Sequence, residues 1–309
     1  MVKPLMSKQA FDSFSQLADN VPKPYANSLD DLLSVLITQC RSWIKPDNNH
    51  TPARMSQNLF DKEFSHVSQF EKNILKISLV AKLAKITPDL VQNENLPDSI
   101  LSNYPAAFER LCVVLNKVAE NPHDTSYNLF HRLGFVLAIN IPCGAQLLDL
   151  RSTIPLTSVI LSLHRERSIK SLRHYVRCKG LGTWFRPHTD VEYIEEFNEE
   201  GWDKFYLQVA ELLLRRKNVR GLVGTSWFYD PQLLNISHRL SYLHLRPLER
   251  GALFMRHRGT ESDIKFATKT SPTRRRLYEE GRYMPVSYSL IWGRNKLLIW
   301  AKKNGLKTE

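Results

Sequence analysis

Glycine is missing from the first 133 residues: all 12 glycines lie at or after Gly134. Tight turns and strand-to-helix junctions recruit glycine for positive φ, so a stretch without it excludes a turn-rich β front and predicts helices joined by Pro, Asn and Asp loops. Cysteine is scarce as well. Cys40, Cys112, Cys143 and Cys178 stand singly, without a CxxC pair or a histidine at finger spacing, which excludes a zinc finger and a disulfide framework. No run approaches the roughly 18 apolar residues of a membrane span, and the opening MVKPLMSKQAFDSFSQLADN lacks the apolar centre of a secretory signal, so a cytoplasmic protein is expected. Internal repeats and low-complexity segments are absent too.

What is present is a chain of 309 residues with 42% hydrophobic content, enough to bury a core. Lys and Arg outnumber Asp and Glu 43 to 31, a net charge of +12 that favours anionic partners: nucleic acid, an anionic membrane surface or a phosphate-bearing cofactor. Five of the six tryptophans lie beyond residue 180. The expectation is an α/β protein, with a helical region over 1–140 and a mixed-sheet α/β domain over 141–309 that carries the function.

In the front, apolar residues from Phe64 to Leu83 recur at helical spacing and predict one helix from Gln57 to Ile86, stopped by Thr87-Pro88. Helices are also expected at Ser28–Trp43, Ala106–Ala119 and Ser126–Ile139. In the back, short β-type runs predict strands at Ala145–Leu150, Gly182–Arg186, Val219–Phe228, Ala252–Arg256 and Pro285–Trp292, and a last strand at Leu297–Ala301 paired through a hairpin at Gly293–Lys296. Between them come helices at Leu156–Arg177, Asn198–Lys217, Pro231–Leu243 and Pro272–Glu280. Acids open Asn198–Lys217 and bases close it, as the helix dipole prefers.

Ligands of α/β sheets sit beyond the carboxyl ends of the strands, which singles out GLVGTSWFYDP. Ser226, Tyr229 and Asp230 are its candidate catalytic residues, with Tyr229 as a general acid; Asp230 before Pro231 also reads as a helix cap. Phe228 stands where a nucleophile elbow needs its second glycine, so a serine hydrolase is disfavoured. The segment Arg177-Cys178-Lys179-Gly180-Leu181-Gly182 combines two glycines, which let backbone N–H groups approach an anion, with cationic side chains. It resembles the RxxGxG pyrophosphate loop of the GNAT family of CoA-dependent acyltransferases. The resemblance implies that Arg177, Lys179, Gly180 and Gly182 face the cofactor diphosphate of acyl-CoA. It further implies that a later tyrosine, Tyr229, protonates the departing thiolate; the expectation drawn from the whole chain is a transferase whose helical front shapes the acceptor pocket.

Ser271-Pro272 reads as a helix start, yet Arg274, Arg275 and Arg276 then occupy the turn where the dipole disfavours cations; a bound phosphate would relieve that conflict, and so would salt bridges to Glu279 and Glu280. Two alternatives stay open beside the acyltransferase. His188 and Asp190 have the HxD spacing of a non-haem Fe(II) oxygenase, with His238, His244 or His257 as third ligand. The basic stretch from His164 to Lys179, with Arg165, Arg167, Lys170, Arg173 and Arg177, could meet nucleic-acid phosphates without any enzymatic activity.

Overall fold

The computed structural model describes residues 4–43, 51–123, 128–154, 159–160, 173, 175–177, 180, 182–189, 195–257 and 260–306. By contacts the chain divides into one compact unit over Met1–Leu150 and a second over Arg151–Thr189 and Glu195–Glu309. The fold is α/β: a helical amino-terminal region, and a mixed sheet in the carboxyl-terminal part.

The first unit is built from α1 (Lys8–Asp19), α2 (Ala26–Gln39), α3 (Thr51–Glu63), α4 (Gln69–Gln92), α5 (Asp98–Leu101), α6 (Tyr104–Glu120) and α7 (Leu133–Val136). The sequence reading passed over α1, although Ser7 caps it by accepting from the Ala10 N–H and Phe14 and Leu17 bury its inner face. The single helix expected over Gln57–Ile86 is two. A capping box starts α4 afresh: Ser68 Oγ accepts from the Glu71 N–H and the Glu71 carboxylate accepts from the Ser68 N–H. Nor does Pro88 stop α4, which runs on to Gln92. Thr87 and Val91 flank the proline on the buried face, and Thr87 Oγ1 donates to Val136 O at 2.8 Å, holding the turn against the lost backbone bond. The helix expected over Ser126–Ile139 is shorter, a 3-10 turn at Leu129–Arg132 followed by α7, and Ala138 in the left-handed region (φ 52°) ends it. Phe14, Tyr104, Phe108 and Phe135 form the aromatic centre of this unit. Burial pushes the Cys40 thiol up to about 12, so it packs as an inert apolar group.

Two strands follow, β1 (Asn140–Cys143) and β2 (Gln146–Ser152), antiparallel around Gly144, whose φ of 51° turns the chain. β1 had escaped the sequence reading. Then come β3 (Trp184–His188), α8 (Glu199–Arg215), β4 (Gly221–Ser226), α9 (Leu233–Ile236), α10 (Tyr242–Glu249), β5 (Leu253–Arg256), α11 (Glu261–Lys269), α12 (Pro272–Glu279), β6 (Tyr288–Gly293) and α13 (Arg294–Lys303). Within the second unit the strand order is β3-β4-β6-β5. Helix α8 crosses between parallel β3 and β4, while β6 lies antiparallel between β4 and β5. The expected helix over Leu156–Arg177 lies mostly outside the described residues.

Helix α8 forms as its pattern dictates. Asn198 accepts from the Gly201 N–H, and Trp202, Phe205, Tyr206, Val209, Leu212 and Leu213 are buried. Two expectations fail in the back. The segment Leu297–Ala301 is helical, not a strand, so no hairpin turns at Gly293. Leu297, Trp300 and Ala301 bury themselves at i, i+3 and i+4, a spacing that an apolar run of LLIWA leaves equally open to strand and helix. The helix expected over Pro231–Leu243 is cut at Ser237 into α9, a 3-10 turn and α10.

Gly221 sits where β4 begins, with φ 150° and the Trp292 carbonyl oxygen 2.2 Å from where a Cβ would be. Gly221→Ala is expected to cost more than about 2 kcal/mol, because the obstacle is backbone of the neighbouring strand; urea denaturation measures it.

Candidate active site

Strands β3 and β4 run parallel, so their carboxyl ends, His188 and Ser226, lie at the same end of the sheet. There β6 begins at Tyr288, opposite Ser226, and β5 ends at Arg256, opposite the same Tyr288. The β3–β4 register is set at Phe185↔Leu222, and two residues further on Pro187 has no N–H to donate. Facing it is Gly224. A Cβ there would lie 3.0 Å from Pro187 Cγ and 3.2 Å from the Tyr229 hydroxyl, so this glycine makes room for both.

The chain reaches that position through a 3-10 turn, Trp227–Tyr229, capped by Ser226 Oγ accepting from the Phe228 N–H. The turn folds the Tyr229 ring back over β4, where it packs against Phe254 of β5 with ring centres 5.5 Å apart. Tyr229 is 2% exposed, and burial raises its hydroxyl well above the ordinary tyrosine value, so it carries its proton at neutral pH.

Its two candidate companions have other tasks. Ser226 spends its oxygen on the cap. Asp230 is buried and binds main chain with both oxygens: Oδ1 accepts from the Gln232 N–H at 3.0 Å and Oδ2 from the Val286 N–H at 3.1 Å. Burial raises its carboxyl above the ordinary range, and these two bonds and Arg256 oppose the shift. Asp230 ties the turn after β4 to the segment before β6, so it shapes the site rather than reacting in it.

His244, mentioned by the sequence only as an optional metal ligand, is drawn in here. Its Nδ1 lies 3.0 Å from the Tyr229 carbonyl oxygen, and its ring stacks on Phe254 at 4.2 Å and 14°. Burial holds its pKa below the ordinary 6.5. No spacing signal links His244 to Tyr229 across 15 residues; the signal missed was the unused histidine one helix after the strand-end tyrosine.

The three arginines of SPTRRR diverge, so a shared phosphate cradle is not what the structure builds. Ser271 caps α12 and Pro272 opens it, as the sequence indicated. Arg274, however, is buried: Nε donates to Ala267 O at 2.5 Å, Nη1 to Ser237 Oγ at 3.0 Å, and its guanidinium lies 4.9 Å from the Trp227 ring centre. Arg275 donates to Lys269 O, and Arg276 pairs with Glu280 at 3.8 Å. The dipole conflict disappears because α11 ends where α12 starts. Cations at the start of α12 satisfy carbonyls at the end of α11, where positive charge is favoured.

RCKGLG lies elsewhere. It precedes β3, whereas Tyr229 follows β4, so the two segments flank opposite ends of a parallel strand pair. Cys178, Lys179 and Leu181 are outside the described residues. Arg177 is exposed, and Gly182 leads through Thr183 into β3. Gly180 has a packing reason of its own, since a Cβ would fall 2.1 Å from the Tyr175 ring. This end is basic: the Arg220 N–H donates to Thr183 O and the Arg294 N–H to Arg220 O, bringing two half-buried arginines beside Gly182. At the amino end of α8, after β3, Glu199 and Asp203 pair with Arg246, and Asp203 also with Arg250.

For the iron reading, His188 ends β3 and His257 follows β5, its N–H donating to Ser287 O, but Asp190 is outside the described residues. Among the described residues no group of three or more His, Cys, Asp or Glu could hold a metal ion. Of the basic stretch over 164–179, Arg173 and Arg177 are described and exposed. No described helix is long and apolar enough to cross a membrane.

Neither a protein-family model nor a curated protein matches the chain. Solved structures do. An acyltransferase in complex with CoA and 10C-teicoplanin superposes with a TM-score of 0.50 at 10% identity, over 94% of this chain and 90% of that one. An acyltransferase in complex with decanoyl-CoA gives 0.41 at 13% identity, over 94% and 88%. The chain is therefore similar in fold to a known acyltransferase along nearly its whole length.

Asp230→Asn is expected to destabilise by about 1–3 kcal/mol, because one carboxamide turns an NH2 toward a backbone N–H that Asp230 now satisfies. Thermal and urea unfolding of the variant check it; unchanged stability would free Asp230 for chemistry.

Proposed function

We propose that this protein is a CoA-dependent acyltransferase that moves an acyl group from acyl-CoA to an amine. The observation that carries the reading is the fold likeness to the acyltransferase solved with CoA, at a TM-score of 0.50 over 94% of the chain. The strand-end geometry supports it independently. A buried, protonated Tyr229 stands over Gly224, where β3 and β4 lose a ladder donor at Pro187, and can give its proton to the departing thiolate.

In this proposal Arg177, Lys179, Gly180 and Gly182 receive the cofactor's diphosphate. At that end of the strand pair Arg220 lies close enough to Arg294 to oppose its charge, and Arg177 is exposed.

Isothermal titration with octanoyl-CoA should give a saturable heat. Tyr229→Phe should lower turnover about 100-fold with the Kd unchanged, whereas Arg177→Ala should weaken binding and leave turnover at saturation intact. No heat at millimolar octanoyl-CoA would remove the proposal. An unaltered Kd in Arg177→Ala would move the phosphates away from RCKGLG.

A further inference from the structure

Resting on the acyltransferase reading, we infer that His244 is the general base of the reaction, taking the proton of the attacking amine at its Nε2. The hydrogen bond to Tyr229 dictates the tautomer. A carbonyl oxygen can only accept, so at 3.0 Å the His244 Nδ1 carries the hydrogen, and a neutral ring then leaves Nε2 with its lone pair. One ring face is covered by Phe254 and the Nδ1 edge is held by the main chain, which leaves the Nε2 edge as the working one. At 9% exposure the residue is desolvated but not sealed. Phe254 also packs on the Tyr229 ring, so one β5 side chain positions both groups.

Helix α10 packs against several charged elements. The turn after β4 contributes Tyr229 and Asp230, β5 contributes Arg256, the 3-10 turn before α10 contributes His238 and Arg239, and α8 contributes Glu199 and Asp203 through their pairs with Arg246 and Arg250. α10 itself carries Tyr242, Arg246 and Glu249. Asp230 and the bond to Tyr229 favour the imidazolium, but burial is the larger effect and keeps the ring neutral. In the step itself the amine nitrogen attacks the thioester carbon, a C–N bond forms and the C–S bond breaks. Nε2 takes the amine proton and Tyr229 gives its own to the sulfur. Solvent then carries the proton from His244 back to Tyr229.

His244→Asn separates base from scaffold, because its amide N–H can reach the Tyr229 carbonyl as Nδ1 does while nothing replaces Nε2. Nitrogen-15 NMR of the wild-type imidazole should show hydrogen on Nδ1 and a bare Nε2 at pH 7; hydrogen on Nε2, or an imidazolium at that pH, overturns the inference. With octanoyl-CoA and n-butylamine, thiol release by the wild type should climb as pH rises through the His244 pKa, below 6.5. His244→Asn should lose about 100-fold and that pH limb with it. A variant as fast as wild type with n-butylamine, with the same pH profile, overturns the role of His244 alone. A wild type that binds no octanoyl-CoA overturns the acyltransferase reading, and the base with it.

Discussion

Strand β4 is the constraint on which the second unit depends. It has β3 parallel on one side and β6 antiparallel on the other, and its residues 221–224 are buried without exception. A strand enclosed in this way is sensitive to side-chain volume, and two of its positions carry none. At Gly221 the Trp292 carbonyl and the Trp184 ring close in; at Gly224 Pro187 and the Tyr229 hydroxyl do. The first glycine lets the sheet form and the second lets a functional side chain lie against it. Val223 joins Trp184, Met255 and Ile291 in the core beneath, so the stability of the sheet and the placement of Tyr229 share one set of contacts.

Arginine is the second organising element, and it gives the net charge of +12 a meaning that composition alone does not. Arg274 and Arg275 donate to carbonyls at the end of α11, and Arg294 donates to Arg216 O and Val219 O just past α8. These are helix ends whose last carbonyls lack partners within the helix. A guanidinium offers several donors in a fixed plane and keeps its charge when buried, so it can close such an end and pack on an aromatic ring at once. Arg274 does both, over Trp227. Arg274 and Arg294 are therefore committed inside the fold, and Arg275 to a helix end at the surface. Local runs of arginine thus say little about where an external anion binds.

The class of fold was legible because it rests on features that sequence encodes locally. A glycine-free front gave helices, and the acid-to-base gradient of α8 with its buried stripe marked that helix almost residue by residue. Errors fell where two periods fit the same letters or where tertiary contacts override a local breaker. LLIWA suits strand and helix alike until Trp300 finds Tyr206 and Trp292; Pro88 reads as a stop until Thr87 reaches Val136. The candidate site was half legible. Tyr229 follows from the strand-end rule, but the divergence of Arg274, Arg275 and Arg276 and the arrival of His244 depend on how α10, α11 and α12 pack. No motif in the chain records that packing.

One physical effect sets the charge states of Tyr229 and His244. Burial penalises the charged form of any group, and here it acts on an acid and a base within one turn and one helix of each other. For Tyr229 it resists loss of the proton; for His244 it resists gain of one. Both groups therefore rest uncharged, one holding a hydrogen and the other a lone pair. The hydrogen bond from the His244 Nδ1 to the Tyr229 carbonyl fixes which nitrogen keeps the lone pair, and Phe254 fixes where both rings lie. The packing that closes β4 against β5 and β6 thus also keeps both groups desolvated and neutral.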